Sequence, residues 1–344
     1  MASEASIQSV IADLTHLQNT NKDLADQIAG LGDGISEEYP FTRLLTEKCK
    51  TAWGNNSLAQ FRVRTADIRP SGYYRFSSLN RSVPDGIKSM TVPRSFLHCG
   101  IHYSRTDMIE NRGPDTFVGY ISDAIEQCRI GTAAGMELRL LGNGTTDANG
   151  DTMTDERVIY GAQYVVTSSG TGDTIYGQAR DTATPWFNSF ATDITSVNGI
   201  TFEKVDQMFN KTTHGKGLGP NLVMFSSTGF NRVRQLARTD RFVKDKANFD
   251  LGIPNAFSYN GATFIENKAM TSLANGGILD ADMKRVFFLT VTPETMEFRI
   301  DAKDDWVLDP VLQDTGTASY YQDLWWNGQL IIKSMRNQGC FYWA

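Results

Sequence analysis

Three short stretches of this 344-residue chain hold residue types that could do chemistry. His98, Cys99 and His102 form the densest group of metal-ligating side chains, within "SFLHCGIHYS". That segment reads as a β-strand, on which Cys99 faces opposite to both histidines. No second ligand pair follows at finger-like spacing, so sheet residues are expected here and not a zinc site. In "DANGDTMTDE" (147–156) Asp147, Asn149 and Asp151 alternate as in half of a calcium loop. The sixth and twelfth positions, Gly and Glu in a calcium-binding hand, are Thr152 and Val158, so a solvated turn is expected. "HGKGLGP" (214–220) has glycines spaced as for phosphate, but a phosphate loop follows a strand and opens a helix. Here Pro220 and the strand-like "NLVMF" come after it, which reads as a helix-to-strand connection. No nucleophile elbow, zincin or phosphate-loop signature occurs, and the expectation is a protein that is not an enzyme and takes no cofactor.

The elements that would position any site are uneven in kind. A chain of this length tends to divide its core into at least two lobes. The net charge is −6 with a pI near 5.3, which puts general nucleic-acid binding at a disadvantage. No apolar run reaches the ~18 residues of a membrane helix, so no membrane partner is expected. Four scattered cysteines (Cys49, Cys99, Cys128, Cys340) without a CxxC pair fit buried thiols in a reducing cytoplasm rather than a disulfide framework.

Residues 4–31 carry a heptad seam of Ile7, Val10, Leu14, Leu17, Leu24, Ile28 and Leu31, with Asn21 at the one core position that is not apolar. Leu14, Asn21 and Leu24 are therefore candidates for contact with a partner helix, although the same stripe could lie on the chain's own body. Residues 58–95 read as an extended excursion with few core-building residues. Arg62, Arg64, Arg69, Arg75 and Arg81 are interleaved there with Tyr73, Tyr74 and Phe76. Such a mix suits single-stranded nucleic acid or acidic neighbouring subunits, and the acidic chain favours protein contact. The alternative, a nucleic-acid-binding protein, would use segment 62–81 and a helix bearing Arg232, Arg234 and Arg238.

Gly113-Pro114-Asp115 opens the longest helix signal, 115–141, whose stripe is Phe117, Ile121, Ile125, Cys128, Met136 and Leu140. At 1.5 Å per residue it is a rod of about 40 Å. Further on come a helix at 201–213, the strand "NLVMF", a helix at 227–240, a hairpin around Asn260-Gly261, and the strands "RVFFLTV" and "MEFRI". The chain closes on "DLWWNGQLIIKSMRNQGCFYWA", a dense run of rigid apolar residues.

This order of parts resembles the major capsid protein of tailed bacteriophages, the Hong Kong 97-like fold. The phrases that carry the resemblance are "SRTDMIENRG" and "LRLLGNGT" around the long helix, "GQARDTATPWFNSF", "RTDRFV…LGIPNAFSYNGATFIENKAM" and "WNGQLIIKSMRNQGCFYW". It covers most of 58–344. It implies an α+β fold with a long spine helix, peripheral and axial domains, an extended β-hairpin loop and an N-terminal helical arm. The implied division is an N-terminal helix and arm at 1–57, the extended loop at 58–97, and a peripheral domain at 98–159 with spine helix 115–141. An axial domain at 160–318 follows, and C-terminal strands at 319–344 return to the peripheral domain. Trp325, Trp326, Phe341 and Trp343 would fill the core of that C-terminal sheet or seal a seam between subunits. The resemblance implies self-assembly through pentamers and hexamers into an icosahedral or prolate head enclosing double-stranded DNA, bound non-specifically. It also implies scaffold, portal and cement or decoration proteins as partners, and a virion location after synthesis in the bacterial host cytoplasm. Some members cross-link through a loop lysine; Lys88 is the only lysine in 58–97, and its Asn and Glu partners have no match.

Overall fold

The computed structural model describes residues 39–54, 56–65, 86–104, 114–142, 158–167, 174–180, 185–214, 217–239, 256–270, 284–309, 312–313 and 319–343. Leu14, Asn21, Leu24, Arg69, Tyr73, Tyr74, Arg75, Arg81 and the acidic stretch 147–156 lie outside the described residues.

The described chain opens with helix α1 (Pro40–Cys49) and runs directly into a short strand β1 (Lys50–Ala52). Proline at the first helical position gives up no hydrogen bond there. Phe41, Leu44, Leu45 and Cys49 bury the inward face of α1, so residues 40–49 belong to the core and the expected arm of 1–57 does not extend that far. Strands β2 (Leu58–Arg64) and β3 (Ile87–Pro93) pair antiparallel from Leu58↔Pro93 to Arg64↔Ile87. Their alternation puts Ala59, Phe61, Val63, Met90 and Val92 inward and leaves Leu58, Gln60, Arg62 and Arg64 outward. The expectation that this segment holds few core residues is thus corrected: the foot of the hairpin is a half-buried ribbon.

Strand β4 (Ser95–Ser104) and the 28-residue helix α2 (Pro114–Leu141) follow. Along α2, Cys128, Ala133, Met136, Leu140 and Leu141 are buried, while Ile130 is exposed. The helix ends at Gly142, and the incoming chain crosses its last turn at Gly161, just before the single turn α3 (Ala162–Val165). A Cβ at Gly161 would sit 2.5 Å from the carbonyl oxygens of Arg139 and Gly142. Only glycine permits backbone to pass so close to backbone.

Small strands β5 (Thr174–Ile175) and β6 (Gln178–Ala179) make a hairpin. The next unit contains β7 (Phe190–Asp193), helix α4 (Phe202–Thr212), β8 (Leu222–Phe225), helix α5 (Ser227–Thr239), β9 (Phe257–Tyr259), β10 (Ala262–Glu266) and β11 (Arg285–Leu289). Thr201 caps α4 by accepting a hydrogen bond from Lys204 N. Asn260 and Gly261 both have positive φ, 51° and 79°, as the two-residue turn joining β9 to β10 demands. Finally come β12 (Met296–Leu308), β13 (Leu312–Gln313), the 14-residue β14 (Ser319–Ile332) and β15 (Gly339–Tyr342).

Two sheets result. In the first, β14 is central, with β4 along one edge and β12 then β13 along the other, and β1 outside β12. The second runs β7-β15-β11-β8-β10-β9. Helices α4 and α5 cover one face of this second sheet through Val205, Met208, Phe209, Phe230 and Val233. Its other face, with Met224, Ile265, Phe287 and Leu289, joins the core shared with α1, α2 and the first sheet. All four residues of β8 are accordingly buried.

Two expected boundaries move. β12 was expected within the 160–318 unit but pairs with β14 from Met296↔Ile332 to Leu308↔Leu324, so 296–308 belong to the first sheet. The C-terminal segment 319–344 was expected to stay together, yet β15 leaves the first sheet and enters the second between β7 and β11. The crossing is braced by buried amides. Asn337 Nδ2 donates to the carbonyls of Thr212 (3.1 Å) and Leu218 (2.6 Å), and Gln338 Oε1 accepts from Thr290 N at 2.9 Å. Such groups are tolerated in a core only when their hydrogen bonds are made.

Gly161→Ala is expected to lower the folding stability by about 2 kcal/mol, read as a lower urea midpoint with an unchanged slope. An unaltered midpoint would mean that the spine's end can move aside freely.

Candidate functional site

Glu137 is among the most heavily engaged side chains of the described interior. It projects from α2 and is fully buried. Its carboxylate accepts from Phe41 N (3.1 Å), Thr42 N (2.7 Å), Thr42 Oγ1 (2.6 Å) and Asn267 Nδ2. Phe41 and Thr42 carry the first free amides of α1, which has no side-chain cap of its own. A negative group belongs at that end of a helix, where orphan amides and the helix dipole are both satisfied. Asn267 follows β10, so one carboxylate joins the spine, the entry helix and the second sheet. Burial pushes the Glu137 carboxyl above its ordinary value of 4.5, with the four hydrogen bonds pulling the other way. No sequence motif marks this residue; its partners are more than ninety positions away.

The outer face of the first sheet is different. Register places Val307 beside Trp325, Trp325 beside His98, and Asn327 beside Phe96. Phe96, Val307 and Trp325 remain 47%, 41% and 37% exposed, a run of large apolar side chains open to solvent. His98 stacks on Trp325 with ring centroids 5.4 Å apart, and Trp325 Nε1 donates to Asp309 at 2.6 Å. Asp323 and Asp304 give the surroundings an acidic cast. Cys99 points the opposite way, toward α2, as strand alternation requires. Among the described residues no group of three or more His, Cys, Asp or Glu could hold a metal ion.

The hairpin of β2 and β3 offers the complementary chemistry. Its outward face carries Leu58, Arg62 and Ile87, with Ile87 60% exposed. Arg64 does not join them as a free contact residue. Its guanidinium lies 4.2 Å over the ring of Trp186, and Arg336 lies 4.6 Å from the same ring. These two cation–π contacts on one ring tie the hairpin to the turn between β14 and β15. Arg336 Nε also donates to His214 Nε2 at 3.2 Å. Partial burial and then the charge of Arg336 hold His214 below the usual histidine range. Arg232 and Arg234 likewise rest on their own chain, against Asn198 O and the ring of Phe230.

The four C-terminal aromatics separate. Trp326 is buried in the first sheet, stacked on Phe298 and packed on Trp306. Trp306 reaches it through a bulge in β12, where its own φ is +53°. Trp325, one residue earlier, faces outward and is corrected from core to surface. Phe341 is buried in the second sheet against Phe288, and Trp343 flanks that sheet half-buried. One C-terminal sheet core was expected; the residues serve two, because β14 and β15 belong to different sheets.

No protein-family model and no curated protein sequence matches the chain. Solved structures do. The capsid protein of cyanophage A-1(L) aligns over 89% of this chain and 92% of its own at TM-score 0.64 and 11% identity. The capsid of the native GTA particle aligns over 90% and 92% at 0.60 and 11%. The SrpI encapsulin of Synechococcus elongatus PCC 7942 aligns over 87% and 86% at 0.55 and 7%. The fold is therefore the mixed α+β fold of phage capsid and encapsulin shell subunits, as the order of sequence phrases implied.

A raised carboxyl pKa means the folded state holds the Glu137 proton more tightly than the unfolded chain. This proton-linked part of the stability is fully present below about pH 4.5 and is lost as pH rises through the folded value, while the hydrogen bonds to α1 and Asn267 remain. Glu137→Gln turns an NH2 toward amide donors. It should lower stability by about 2 kcal/mol at neutral pH and remove that part of the slope in urea midpoints taken between acid and neutral pH. A midpoint and slope like the parent's would deny the carboxylate its role.

Proposed function

We propose that this chain is the major capsid protein of a tailed phage head, many copies of which build a closed icosahedral or prolate shell around double-stranded DNA. The observation that carries this reading is coverage in both directions. About nine-tenths of the chain and of the phage capsid subunits align, so the likeness takes in the whole subunit and not one lobe of it. The exposed surfaces support it, because a thin subunit completes its burial against copies of itself.

In this reading the first sheet and α2 form the peripheral domain, and the second sheet with α4 and α5 forms the axial domain around five- and six-fold axes. The hairpin at 58–97 lies across an adjacent subunit. Its arginines other than Arg64, with its apolar outer positions, meet a neighbour's strip of Phe96, Trp325 and Val307 with the flanking acids Asp304, Asp309 and Asp323. The helical arm, through Leu14, Asn21 and Leu24, pairs with a scaffold or with its own copies. Portal and cement proteins and packaged DNA are the further partners, and the virion is the location.

Trp325 is exposed at the centre of the strip, so Trp325→Asp should leave the chain folded while cutting the yield of closed particles by about tenfold or more, as loss of a central interface anchor does. Electron microscopy of purified protein, with circular dichroism as the folding control, reads this. Parent-like shells from the folded variant would remove the strip from the interface.

A further inference from the structure

Two thiols far apart in sequence meet inside the fold. Cys99 on β4 and Cys128 on α2 have their Sγ atoms 2.8 Å apart. A disulfide needs about 2 Å, so closing the bond takes a shift of under about 1 Å between two elements already in contact. We propose that Cys99 and Cys128 are a redox pair that closes to a disulfide when the protein meets an oxidised low-molecular-weight thiol, pinning the spine helix to the first sheet.

The two sulfurs are built for different parts. Cys99 is half-buried, whereas Cys128 is buried. Cys128 donates a hydrogen bond to Cys99, which stabilises the Cys99 thiolate and draws its pKa down to about 7 against the opposing effects of burial and Asp323. The same bond and burial push the Cys128 thiol up. Cys99 is thus the attacking sulfur and Cys128 the resolving one.

With oxidised glutathione as oxidant, the Cys99 thiolate attacks one sulfur of its disulfide. A Cys99–glutathione bond forms and one glutathione thiolate leaves. Cys128 then gives up its proton and attacks the Cys99 sulfur, expelling the second glutathione. Two protein thiols are oxidised, one glutathione disulfide is reduced to two thiols, and the sulfur count is conserved.

The other cysteines serve as internal controls. Cys49 and Cys340 are buried, their thiols pushed up by burial to about 11 and about 12. The described structure pairs neither with another cysteine.

The test takes the full chain through reduction, exposure to oxidised glutathione, acid quenching, and N-ethylmaleimide in denaturant. The expected product blocks Cys49 and Cys340 only. A proteolytic fragment joining Cys99 to Cys128 should appear, lighter by two hydrogens than its reduced parts. The oxidised protein should melt roughly 5 °C above the reduced one, and Cys99→Ser and Cys128→Ser should each abolish that difference. All four thiols blocked, a lasting glutathione adduct on Cys99 or a Cys99–Cys99 bond between chains would overturn the pairing. An internal bond without a rise in melting temperature would overturn the pinning.

Discussion

The carboxylate of Glu137 is the constraint on which the rest of the structure depends. A buried carboxyl group is costly unless its hydrogen bonds are made, and this one makes them only when three separate elements are in place. The spine must be helical to present Glu137, α1 must begin at Pro40 to present its amides, and the turn after β10 must bring up Asn267. A chain with any of these displaced leaves either a buried carboxyl or buried donors without partners. The first sheet, the second sheet and the entry helix are thereby held in one arrangement, with apolar packing supplying the bulk of the stabilisation and this group supplying the register.

Around that tie, burial is distributed unevenly in a way that bears on function. Strand β14 begins with one face half-covered at Tyr321 and Asp323 and exposed at Trp325, and ends buried on both faces from Asn327 to Ile332. The deep half lies against the shared core and the shallow half looks outward. A domain sufficient unto itself would cover Trp325 as it covers Trp326. Phe96, Trp325 and Val307 stay open beside acidic groups, which accords with the tiling subunit proposed above.

Much of the fold was legible from sequence because it rested on local signals. The bounds of α2, α4 and α5, the "NLVMF" strand and the Asn260-Gly261 turn all follow from caps, periodicity and turn chemistry, and each is found within a residue or two of its expected place. What stayed hidden was long-range pairing. Nothing in "MEFRI" says that it joins β14 and not β11, and nothing in "GQLIIKSMRNQGCFYW" shows that the chain changes sheets at its centre. The surface site was half legible. Arg62 was found where an outward residue should be, but Arg64 lies on Trp186, a stacking between residues over a hundred positions apart. Trp325 was expected beside Trp326 in the sheet core, although strand alternation must send the two to opposite faces. Glu137 and the Cys99–Cys128 contact carried no motif.

The central claim is that the outer strip and the hairpin are complete only beside further copies of the same chain. Analytical ultracentrifugation of the purified full-length protein over a range of concentrations tests it most directly. The account predicts a concentration-dependent passage from small species to large closed particles with little between them. A single monomeric boundary persisting to the highest attainable concentration, in buffers that keep the chain folded, would contradict it.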